Sequence, residues 1–174
     1  MAGPARQAGQ RRLHPREGQG SFAKRVRVWR AARGLAETPA PFYALLHPVY
    51  LTDPQEVPRL VAVVEAKGVA PALVVLDTIA RNFGPGDPDK TQDMTLFVNA
   101  ADAVRAAFGA ALMGVHHAGK DAARGARNSS VLKAAADFEV RAESEEGSYS
   151  VTLSNTKAKD WEAFPRTRLT LDEL

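Results

Sequence analysis

The chain has 174 residues, 45% hydrophobic and 25% charged, with no cysteine. That length suits one domain able to bury most of its unfolded-state surface around a single core. The lack of thiols excludes disulfides and thiolate metal sites, and a reducing cytoplasm is the expected compartment. No apolar run approaches the roughly 18 residues of a membrane span, so no membrane partner is expected. The basic N-terminus has no apolar segment behind it, which argues against a secretory signal.

The net charge of +3 is unevenly spread. Residues 1–33 carry nine Lys/Arg against one acid, Glu17, so this end holds +8 and the remainder −5. Such an end either meets phosphates or is a solvated tail. Residues 1–16, rich in Gly, Pro, Gln and Arg without periodicity, read as a disordered or non-native segment preceding a domain over 17–174.

Phe22, Val26 and Trp29 share a helical face that ends at Gly34. Pro39 to Pro58 reads as extended, and Val57 to Lys67 as a short helix closed by Gly68. Ala72 to Asp77 is a continuous apolar run ending in an acid, the pattern of a strand buried on both faces. A polar loop, 84–92, precedes Met94, Phe97, Val98, Ala101, Val104 and Phe108, spaced as an amphipathic helix. Ala110 to Val115 is a second buried strand, followed by a Gly/Lys/Arg/Ser loop over 118–130 and a helix at 131–137. Phe138–Ala142, Tyr149–Ser154 and Arg168–Leu171 then read as strands, with a hairpin turn at 145–148. This order predicts an α/β fold whose mainly parallel sheet carries antiparallel edge strands at its C-terminal end.

Three groups of residues carry candidate chemistry. Asp77 ends an apolar strand, where parallel sheets gather ligands, and could hold Mg²⁺ through water; it could equally cap the next helix. His116 and His117 end the following strand, and alternation turns only one of them towards any nucleotide. Such a histidine could donate to a phosphate oxygen, or simply pack beside the core. Lys157 and Lys159 share a strand face, either for a phosphate or to guard an edge. The 118–130 loop, with Lys120, Arg124 and Arg127, suits a phosphate backbone or plain solvent.

Taken together, LVVLDTIARNFGPGDPDKTQDMTLFV, GVHHAGKDAARGARNSSVLKAAAD and LSNTKAKD resemble the RepA-like branch of the RecA/DnaB superfamily, the plasmid and phage replicative helicases. The resemblance covers about residues 17–171. It implies a RecA-like core that binds Mg²⁺-ATP between subunits of a homo-oligomeric ring and moves on single-stranded DNA. Asp77 then matches the Walker-B, Mg²⁺-linked carboxylate, and His116 and His117 the sensor histidines. Lys120, Arg124, Arg127, Ser129 and Ser130 fall in the DNA-facing loop and helix start. Lys157 and Lys159 match the basic pair that reaches a neighbour's nucleotide. Glu17 resembles the glutamate that orients attacking water. Asn128 stands where the family usually has Gly.

The phosphate loop G-x-x-x-x-G-K-[ST] does not precede Asp77. Gly114 to Lys120 mimics it, but Asp121 replaces the Mg²⁺-ligating hydroxyl and would repel a polyphosphate. The expectation is therefore a core lacking its first strand and P-loop, about a hundred residues short of a full relative and inactive alone. The alternative is a non-enzymatic remnant that binds DNA or a partner.

Overall fold

A computed structural model describes residues 19–35, 42–117, 129–144 and 147–170. The helix α1 (Gln19–Ala32) belongs to one compact unit, and everything from His47 to Asp172 to another. In the first unit Phe22 packs against Phe42, with ring centroids 6.0 Å apart. The Arg33 guanidinium lies 5.2 Å from the Trp29 ring centroid, a cation–π contact that covers a half-exposed indole. The Arg30 side chain donates to the Leu35 carbonyl just past the helix end.

The second unit runs α2 (Glu56–Ala66), β1 (Leu73–Asp77), α3 (Ile79–Asn82), α4 (Thr91–Phe108), β2 (Ala111–Val115), α5 (Ser129–Ala135), β3 (Phe138–Glu143), β4 (Ser150–Ala158) and β5 (Thr167–Thr170). The α/β class and the order of parallel then antiparallel strands are as expected. The strands hydrogen-bond as two sheets: β1 and β2 in parallel, and β3-β4-β5 antiparallel. β4 runs four residues beyond the expected Ser154 because a bulge carries the pairing onward: Val140 faces Asn155, and Glu139 faces Lys157.

The core lies on one side of the parallel pair. Leu76, Ile79, Phe83, Met94, Phe97 and Val104 are buried together with Leu51 and Leu60, and Val74 and Leu112 pack against them. Phe83 and Phe97 stack with centroids 5.5 Å apart. The α4 stripe of Met94, Phe97 and Val104 supplies this layer, and Gly109 ends the helix in the left-handed conformation. β1 departs from the expectation that both its faces are buried. Leu73 and Val75 remain about half exposed, as does Met113 on β2. An unbroken apolar run fits burial on two faces, but α2 and α4 cover only one of them. At Gly114 a β-carbon would lie 2.7 Å from the Ile79 Cδ1, so the buried Ile79 side chain occupies the space above that glycine.

Phe97→Ala is expected to destabilise the chain by about 3–5 kcal/mol, the range for emptying a buried aromatic site. The half-exposed Leu96 next to it, changed to Ala, should shift stability by under about 1 kcal/mol. Denaturant titration of both variants, followed by circular dichroism, measures the contrast.

Candidate functional site

The parallel ladder sets the site. Leu73 faces Ala111, and the register runs without a slip to Asp77 facing Val115. Asp77 therefore stands at the carboxyl end of β1, and His116 and His117 follow directly at the same end of β2. All three side chains are exposed. Among the described residues no group hydrogen-bonds or ion-pairs with the Asp77 carboxylate or either imidazole. No three His, Cys, Asp or Glu among the described residues come close enough to cage a metal directly. A lone carboxylate suits Mg²⁺, which keeps its waters and takes phosphate oxygens as further ligands.

The segment after Asp77 is fixed by a polar clasp. Thr78 caps α3, its hydroxyl accepting from the Arg81 amide. Thr78 and Asn82 are the two buried polar residues among those described. The Asn82 side chain donates to the Thr78 carbonyl at 2.8 Å and accepts from the Val49 amide at 3.0 Å. Backbone bonds continue the same contact: Leu51 donates to the Asn82 carbonyl and Thr52 to the Phe83 carbonyl, each at 2.9 Å. The stretch before α2 thus straps down the stretch after Asp77. Gly84 is required beneath this strap, because its φ is +96° and a β-carbon there would fall 2.8 Å from Tyr50 Cβ. Beyond it, Asp93 in the first turn of α4 accepts from the Asp87 amide at 2.8 Å and folds the 84–90 loop onto that helix.

The remaining candidates fall elsewhere. Glu17, Lys120, Arg124 and Arg127 lie outside the described residues. Ser129 and Ser130 open α5, with Ser130 exposed. Lys157 is occupied within the chain: its ammonium donates to the Lys133 and Ala134 carbonyls at 2.5 and 3.0 Å, closing the C-terminal end of α5. Lys159 joins the same end, its ammonium 3.8 Å from the Asp137 carboxylate. Sequence reasoning missed the Thr78–Asn82 clasp, since an Asn four residues after a Thr that follows a strand looks like ordinary loop chemistry. It also missed the capping role of Lys157, which needs α5 and β4 side by side.

Parallel α/β sheets gather ligands outside the carboxyl ends of their strands, and Asp77 and the histidine doublet stand at that edge. The family model described as an AAA domain matches residues 4–123, about two thirds of the chain, and the chain belongs to that family. It is thereby a member of an AAA-type ATPase family, with ATP and Mg²⁺ as the family's ligands. The match takes in Asp77 and both histidines and stops before Lys157 and Lys159. No curated protein and no solved structure matches the chain. Among the described residues no helix is long and apolar enough to cross a membrane.

Asn82→Leu should destabilise the chain by about 2–4 kcal/mol, because it strands the Val49 amide and Thr78 carbonyl while keeping the volume. Lys157→Met should lower stability by only about 0.5–1 kcal/mol, the scale of a cation at a helix C-terminus. Chemical denaturation midpoints of the two variants test this ranking.

Proposed function

We propose that the chain is the Walker-B and sensor portion of a RepA-like replicative helicase ATPase from a plasmid or phage. The supporting observation is the shared carboxyl rim that carries Asp77 and the His116–His117 doublet, in a chain of the AAA domain family. In this reading Asp77 holds Mg²⁺ through water, and one of the two histidines contacts the terminal phosphate. The metal would neutralise charge on the β- and γ-phosphates. Glu17 would orient water, while Lys120, Arg124, Arg127, Ser129 and Ser130 would meet single-stranded DNA. Lys157 and Lys159 would serve the nucleotide of the next subunit in a ring. For Lys157 this role requires release from the α5 carbonyls that it now caps.

The residues present fit the metal but not the triphosphate. An open acid at the rim suits Mg²⁺, whereas the cradle of backbone amides and its lysine are missing from the sequence. Loss of such electrostatic groups lowers rates by about two to three orders of magnitude per donor. Hydrolysis would then need a P-loop supplied by sequence beyond these 174 residues.

A second, non-enzymatic reading is favoured by α1, where Lys24, Arg25 and Arg27 are exposed on a helix closed by the Trp29–Arg33 contact. Here the chain binds single-stranded DNA or a larger partner without nucleotide. Such binding would weaken steeply with salt as counterions return.

Two measurements separate the readings. Phosphate release by the chain should stay at background. A fluorescent ATP analogue should show a Mg²⁺-dependent increment of binding that falls at least about tenfold in Asp77→Ala, a loss of about 1.4 kcal/mol. A Mg²⁺ increment unmoved by that substitution would sink the ATPase-core reading. Nucleotide-independent, salt-sensitive DNA binding without any such increment supports the second.

A further inference from the structure

The β3–β5 sheet has one face composed wholly of polar residues. Glu143 pairs with Thr152, which pairs with Arg168, placing a carboxylate, a hydroxyl and a guanidinium in one row across three strands. The neighbouring rows on the same face hold Arg141 with Ser154 and Ser150 with Thr170. Alternate positions, Ala142, Val151, Leu153 and Leu169, turn to the other side. A solvated polar face alone is ordinary for an antiparallel sheet. Over this one lies an open depression of about 600 Å³, lined by Glu143, Ser148, Ser150, Thr152, Arg166 and Arg168 together with Ser144, none of them buried.

We propose that this hollow binds a phosphomonoester of nucleotide size, at a place separate from the Asp77 rim. Its volume falls within the roughly 300–1,000 Å³ of small-ligand sites. The cations that line it are both arginines, whose planar forks match phosphate oxygens in pairs. Among the described residues neither Arg166 nor Arg168 has an ion-pair partner. Thr152 and Ser150 add hydroxyl donors between them and β3. Among the described lining residues the carboxylate is that of Glu143, 3.8 Å from the Arg141 guanidinium, which offsets its charge. Its free acceptor capacity suits a sugar hydroxyl or a base amino group at the end of the ligand away from the phosphate. A lining with donors at one end and an acceptor at the other fits a nucleoside monophosphate better than a bare anion.

The test is calorimetric titration of the whole chain with AMP and with adenosine, in EDTA and at about 0.1 M salt, where exposed charges still interact over about 10 Å. AMP should bind saturably, and adenosine at least about tenfold more weakly, since charge-assisted bonds to phosphate exceed neutral ones. The double variant Arg166→Gln, Arg168→Gln should lose at least about tenfold in AMP affinity with its far-ultraviolet spectrum unchanged, both sites being exposed. Asp77→Ala should bind AMP as the parent does, which separates this site from the rim. The proposal fails if the parent shows no saturable AMP binding, or if adenosine binds equally well. It also fails if the double variant retains full affinity, or if single-stranded oligonucleotide displaces AMP at lower concentration, which would reassign the hollow to a phosphodiester chain. The AMP–adenosine comparison on the parent stands even if the double variant does not fold.

Discussion

Everything at the rim depends on five consecutive pairings between β1 and β2. Parallel strands run their carboxyl ends to the same edge, so an unslipped register delivers Asp77 and the histidine doublet to one place. The two segments are separated in sequence by α3, a polar loop and α4, and a helical crossover of this kind is the usual route between parallel neighbours. Without that pairing the acid and the imidazoles would be unrelated surface groups. With it, they stand at the same strand edge, in a chain that belongs to an ATPase family.

The rim is held from below by hydrophobic packing and from the side by hydrogen bonds. Leu76 and Ile79, on either side of Asp77 and Thr78, are both buried and anchor that short stretch to α4. Asn82 then ties the same stretch to Val49 by a side chain that satisfies one donor and one acceptor. Buried amides of this kind confer geometry more than net stability, since each bond replaces one to water. The division of labour is clear: apolar residues determine where the strand ends, and polar ones how the chain leaves it. Across the sheet nothing comparable among the described residues covers Leu73, Val75 and Met113, although parallel sheets in compact proteins are covered on both faces.

Much of this was legible beforehand. The Met94–Phe97–Val104 spacing announces α4, and two short apolar runs announce β1 and β2, because periodicity reflects burial directly. Their shared rim follows from the parallel connection. Less was readable where neighbours decide. An apolar run reveals that a strand prefers a core but not how many layers cover it, so the bare face of β1 was missed. The extension of β4 through Asn155, Thr156 and Lys157 depends on a bulge, which polar residues do not signal. The roles assigned to Lys157 and Lys159 came from motif likeness, while the structure places both at the end of α5. Arg168 was legible as the start of a strand, but its partner was not, and pairing sets it across from Thr152.

Gly114 has one more bearing on the rim. Ile79 fills the space over this glycine, so only a residue without a side chain sits at that point of β2. Sliding β2 by one position would bring Met113 or Val115 beneath Ile79 and turn every alternate side chain over. The isoleucine thus behaves as a pawl in a ratchet, admitting a single notch. It is an apolar contact that decides where two imidazoles come to rest.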